Sequence, residues 1–99
     1  MTTARRTLLT LVAESGLEKR LTALVMEKGA HGYTVSGAYG QGPRPGHASD
    51  ISGGNVRIET VVTREVAQAI LQTLETDYFP HYALSCWLSD VEVIREDRY

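Results

Sequence analysis

Residues 37–55 read GAYGQGPRPGHASDISGGN, and this stretch cannot pack. It holds more than half of the chain's glycines and two of its three prolines, and Ile51 is its only large aliphatic residue. Whatever core the 99-residue chain builds must come from the two blocks on either side. The fold is therefore constrained first by this gap and then by the periodicity of its flanks.

In the first block, Leu8-Leu9-Thr10-Leu11-Val12 is short and apolar on both alternating faces, which predicts a central strand. Ser15-Gly16-Leu17-Glu18 reads as a capping box, with Ser15 as N-cap and Glu18 reaching back. Leu17, Leu21, Leu24, Val25 and Lys28 then share one helical stripe, and Gly29 is a natural stop. Tyr33 to Tyr39 alternates as a second strand. In the second block, Val56, Ile58, Thr60 and Val62 alternate with Arg57 and Glu59 as a third strand. Thr63 caps a second helix, with Val66, Ala67, Ile70, Leu71, Leu74 and Tyr78 inward, and Pro80 ends it. A last strand is expected from Tyr82 to Leu88, with Val91, Val93 and Ile94 either continuing it or forming a separate short piece.

The order is βαββαβ. It predicts an α+β, ferredoxin-like domain spanning residues 1–99, a four-stranded antiparallel sheet with both helices on one face. The strands are nevertheless apolar on both faces: Leu8, Thr10 and Val12 oppose Leu9 and Leu11, and Trp87 opposes Leu84, Cys86 and Leu88. A face without helices should be more polar. The expectation is that it packs against copies of the same chain.

Charge and cysteine count narrow the function. A net charge of −2 and a pI near 5.9 give no electrostatic case for a nucleic-acid backbone or an anionic membrane. No apolar run approaches the ~20 residues of a membrane span, and the N-terminus is a poor signal peptide, so a cytoplasmic protein is expected. Cys86 is alone, which excludes an internal disulfide. His31, His47 and His81 fall on three different elements and show no metal-ligand spacing with Cys86. Asp50 and Glu59 make no credible acid–base pair, and no nucleophile has an obvious base, so catalysis is not expected. An RNA-recognition domain shares the element order, but it needs aromatic residues on its third strand, and Val56 to Val62 has none.

The gap itself joins two paired strands, a place where about two to five residues normally suffice. Connections several times longer are usually functional or disordered. Gly40-Gln41-Gly42-Pro43-Arg44 begins it: glycines let backbone N–H groups converge on an anion, and arginine adds a planar, permanently charged fork. It is no P-loop, because no G-K-[ST] follows and no helix begins there.

Gly32-Tyr33-Thr34-Val35 resembles the G-x-T-V signature of PII signalling proteins, which are ferredoxin-like trimers with a long T-loop at this position. The similarity is greater to the PII-like branch associated with bicarbonate uptake and carboxysomes. There G-Y-T-V is likewise followed by G-x-G-x-R, and the second helix leads into Y-F-x-x-Y, here Tyr78-Phe79-Pro80-His81-Tyr82. The resemblance runs from Leu8 to about Ile94 and makes residues 40–55 the T-loop.

The resemblance implies a non-enzymatic regulator, a homotrimer that holds adenine nucleotides in clefts between subunits. Thr34, Val35, Ser36, Gly37, Gly40, Gly42 and Arg44 would come from the T-loop base of one subunit, and Ser85, Cys86, Trp87 and Leu88 would face the adenine. For bicarbonate, the candidates are the loop residues His47, Ser49, Asp50, Ile51 and Ser52, together with Arg57. A bicarbonate transporter or carboxysome-related protein would be the partner, and no covalent cofactor is implied. The chain departs from ATP-sensing PII proteins, which carry a T-G-x-x-G-D-G-K B-loop where this chain has Tyr78-Phe79-Pro80-His81-Tyr82-Ala83. Without that outer phosphate clamp, ADP and AMP are the expected ligands. No tyrosine lies between residues 40 and 55 for modification, and Gln41 is near the place of the glutamine that helps bind 2-oxoglutarate. Arg95 resembles a phosphate-contacting arginine beyond the last strand. A metal-binding trimer of the copper-tolerance type, or a structural trimer, is the alternative on the same fold.

Overall fold

The structure, a computed structural model, describes residues 2–40 and 54–99. Four strands, β1 (Thr3–Glu14), β2 (Thr34–Ala38), β3 (Asn55–Val62) and β4 (Ser85–Ile94), form one antiparallel sheet in the order β2-β3-β1-β4. Two helices, α1 (Glu18–Glu27) and α2 (Arg64–Thr73), complete the ferredoxin-like arrangement. The order puts β1 and β3 in the centre and leaves β2 and β4 as edges.

The core lies between the helices and one face of the sheet. Leu9, Leu11 and Ile58 from the central strands meet Leu21, Val25, Ile70 and Leu74 from the helix layer, and each of these is fully buried. Gly29 lets the helices approach. Its φ of 119° favours glycine, and a Cβ there would come within 3.2 Å of Val66 Cγ2.

Two local expectations need correction. Ser15 does not cap α1: Ser15–Leu17 is a 3-10 turn, neither helical segment there has a side-chain cap, and the Ser15 amide instead donates to Gly54 O at 3.0 Å. Tertiary contact with the start of β3 outweighs the local motif. The Thr63 cap does form, its hydroxyl accepting from the Val66 amide at 3.3 Å. As expected, the helix keeps Leu74 and Tyr78 against the core before Pro80, its last turn over Leu74–Tyr78 being π-helical. The second correction concerns β4, which starts at Ser85 rather than Tyr82 and runs on through Val91, Val93 and Ile94. It does so because β1 is longer than its apolar run, and Thr3–Thr7 give Asp90–Ile94 a ladder to join.

Candidate functional site

Register decides which candidates share a face, because side chains opposite one another across the sheet point the same way. One row is Ser36–Arg57–Val12–Ser85, and the next is Thr34–Glu59–Thr10–Trp87. These rows lie on the face away from the helices. The intervening row, Val35–Ile58–Leu11–Cys86, lies on the helix side. Thr34, Ser36, Arg57, Ser85 and Trp87 are therefore brought to one open face. Val35, Cys86 and Leu88 pack against the core, and a ligand at the open face could use only their backbone. Burial pushes the Cys86 thiol up to about 11, so it stays neutral at ordinary pH.

The open face is more polar than β1 alone implied. Leu8 pairs there with Val61, while Thr34, Ser36, Arg57, Glu59, Ser85 and Ser89 surround Val12 and Trp87. Thr10 is only 2% exposed there, flanked by Glu59 and Trp87, and its hydroxyl donates to Glu59 Oε2 at 3.5 Å. Trp87 keeps 46% exposure.

The two halves of the expected site stand on opposite edges. Thr34, Ser36 and Gly37 are on β2; Ser85 and Trp87 are on β4. With strands about 4.8 Å apart, three spacings put these edges roughly 14 Å from each other. Gly40 follows β2 and is exposed. Gly42, Arg44, His47, Ser49, Asp50, Ile51 and Ser52, with Gln41, lie outside the described residues.

Thr34 also lines a cavity of about 340 Å³. Its walls are the approach to β2 (His31, Gly32, Tyr33), Thr60 and Val61 of β3, and Arg98 with Tyr99. No Asp or Glu side chain is among these residues. Arg98 reaches the cavity because β4 breaks at Arg95, which adopts left-handed backbone (φ 65°) ahead of the 3-10 turn Glu96–Arg98. The turn then passes β1, where Glu96 Oε2 lies 3.9 Å from Arg6 Nη2, and ends beside β3 and the approach to β2. Arg95 itself makes the turn and does not line the cavity.

Sequence reasoning missed Arg98 and Thr60. Arg98 follows the last periodic residue and carries no local signal. Thr60 did carry one, a hydroxyl in the otherwise apolar stripe Val56–Ile58–Val62.

After α2, at the position of the B-loop of ATP-sensing PII proteins, the structure has a closed aromatic turn. The Phe79 amide donates to Leu74 O at 2.8 Å, and the His81 and Tyr82 amides both donate to Tyr78 O at 2.9 Å. The Tyr78 and Tyr82 rings lie 5.9 Å apart, and Arg20 donates to Tyr82 Oη at 3.1 Å with its guanidinium 5.2 Å from the ring centre. These three amides are occupied within the turn.

The family model for nitrogen regulatory protein P-II matches residues 6–98. The chain belongs to the P-II family. A solved PII-like signalling protein from Thermus thermophilus is 46% identical, with 100% of this chain and 99% of that one covered and a TM-score of 0.87. CPII from Thiomonas intermedia shares the fold at lower identity. Its complex with ADP and bicarbonate matches at 21% identity, with 98% and 96% of the two chains covered and a TM-score of 0.84. Its complex with ADP, AMP and bicarbonate matches at 17%, with 99% and 100% covered and a TM-score of 0.81. The PII resemblance and the ferredoxin-like βαββαβ fold read from the sequence are thus borne out. No helix among the described residues of this PII protein is long and apolar enough to cross a membrane. Among the same residues, no three His, Cys, Asp or Glu side chains are grouped to hold a metal.

Proposed function

We propose that this PII protein is a non-enzymatic regulator that binds ADP or AMP between subunits of a homotrimer and reports inorganic-carbon status through its T-loop. The observation that carries the reading is the separation of the two candidate half-sites onto the β2 and β4 edges. A compact ligand that touches both must sit between the β2 edge of one copy and the β4 edge of another. The cavity beside Thr34 supports an anionic ligand through Arg98, with His31, Tyr33 and Tyr99 beside it and no Asp or Glu side chain among its described lining residues. The closed turn after α2 supports ADP or AMP over ATP, since its amides are already bonded. Bicarbonate enters from the CPII complexes, where it accompanies ADP. In this chain the loop residues from His47 to Ser52, with Arg57 on the open face beside Ser36, are its proposed site, and a bicarbonate transporter or carboxysome-related protein is the proposed partner.

The test is calorimetric titration of ADP, AMP and ATP, each with bicarbonate or with chloride at fixed pH and ionic strength, alongside light scattering. A trimer is expected, with ADP or AMP at least as tight as ATP and tighter still with bicarbonate, since coupling between two ligands is reciprocal. Arg98→Ala should weaken ADP by about 1.5–3 kcal/mol, the scale of a hydrogen bond to a charged group. A monomer that binds none of the three nucleotides would refute the reading, and ADP affinity indifferent to bicarbonate would remove its carbon-sensing half.

A further inference from the structure

We propose that Thr60 is a positioning residue for the cleft: by holding the Gly32 carbonyl, its buried hydroxyl fixes the Gly32–Tyr33 peptide in the cavity wall. The inference rests on the nucleotide reading and adds to it a residue outside the G-Y-T-V motif.

Thr60 is only 2% exposed and occupies the helix-facing stripe of β3, among Val56, Ile58 and Val62. Valine has nearly the same shape and would add apolar contact there, whereas a hydroxyl so placed must find a partner. It finds one far off in sequence. Thr60 Oγ1 donates to Gly32 O at 2.6 Å, across from β3 to the connection between α1 and β2. That connection is held at its other end as well, where Gly29 closes on Val66 and the buried Ala30 donates its amide to Val25 O at 3.0 Å.

The consequence follows from peptide geometry. The Gly32–Tyr33 peptide is planar and trans, so its C=O and N–H point in opposite directions. With the carbonyl held by Thr60, the Tyr33 N–H is turned away from the Thr60 hydroxyl. Tyr33 precedes β2 and stands outside its ladder, and among the described residues its amide donates to no backbone group. Gly32 and Tyr33 both line the cavity that holds Thr34, His31 and Arg98. Fixing that peptide fixes which of its two polar groups the wall offers to a ligand. Were the Gly32–Tyr33 peptide free to rotate, it would present carbonyl or amide to the cleft indifferently.

The experiment compares full-length wild type, Thr60→Val and Thr60→Ser. In ligand-free protein, the Tyr33 and Thr34 amide resonances in 15N–1H spectra should move in Thr60→Val and return in Thr60→Ser. In ADP titrations, Thr60→Val should raise Kd by about 3–10-fold, the worth of one net hydrogen bond, and Thr60→Ser should restore it. A structural role alone would change the melting temperature and leave Kd unmoved. If Thr60→Val keeps both the wild-type amide spectrum and the wild-type Kd, or if Thr60→Ser restores neither, the inference is overturned. If wild type binds no nucleotide, the functional reading fails, and the amide spectra alone decide the role of Thr60.

Discussion

On the helix side of the sheet, Leu9, Leu11 and Ile58 have no exposed surface, whereas one residue along on the same strands Leu8 is half-buried and Arg57 is exposed. The two faces belong to the same four strands and differ only in what covers them. On the closed side, apolar residues from every strand interlock with the helices. On the open side, Val61 and Leu8 pair in one row, and in the next rows charged Glu59 and Arg57 sit beside Thr10 and Val12. The closed face carries the stability of the chain. The open face and its two edges carry the groups through which a ligand or a second copy can be met.

The largest expected effect tests that division directly. Ile58→Ala should destabilise the protein by about 2–5 kcal/mol, the range for removing a buried aliphatic side chain. Arg57→Ala, the adjacent substitution, should stay within about 0.5 kcal/mol in the monomer. Urea unfolding of the two variants would measure both. Equal losses would mean that the open face also stabilises the single chain.

A smaller effect concerns how the helices covering the closed face begin. Thr63→Ala should cost about 1 kcal/mol by removing a formed N-cap. Ser15→Ala should cost no more than about 0.5 kcal/mol, because the Ser15 side chain caps nothing and its amide bond to Gly54 survives the change. Thermal melts would resolve the difference, and an equal cost would restore the capping box in solution.

The finest comparison is between Cys86 and Trp87, neighbours in sequence on opposite faces. Burial holds the Cys86 pKa near 11 against an ordinary 9.0, so at pH 8 its thiolate population falls on the order of a hundredfold. Alkylation by iodoacetamide should be slow in folded protein and quicken as pH rises toward 11. Trp87, half-exposed in the single chain, should be open to acrylamide quenching in dilute protein. Protection from quenching at concentrations where light scattering reports a trimer would locate the subunit contact on the open face. Fast alkylation at pH 8 would mean that β4 pairs in another register.

Much of this architecture was legible because the decisive patterns are local. The alternation of Val56, Ile58, Thr60 and Val62, the helical spacing of Ala67, Ile70 and Leu74, and the unpackable run from Gly37 to Asn55 each determine an element type without reference to the rest of the chain. They were enough for the βαββαβ order and, with G-Y-T-V, for the family. The site was legible only in pieces. Thr34 and Trp87 could be named, but that they share a row through Glu59 and Thr10, on opposite edges, depends on the register of three strand pairs. The same is true of Cys86, which alternation placed opposite Trp87 but could not assign to the buried side. Tertiary structure alone extended β4 to Ile94 along a longer β1, exchanged the Ser15 cap for a bond to Gly54, carried Arg98 to the cavity beside Thr34 and joined Thr60 to Gly32. Each of these contacts links residues far apart in sequence. Periodicity records which face of its own element a residue occupies, and the partner across the gap is chosen by packing of the whole chain.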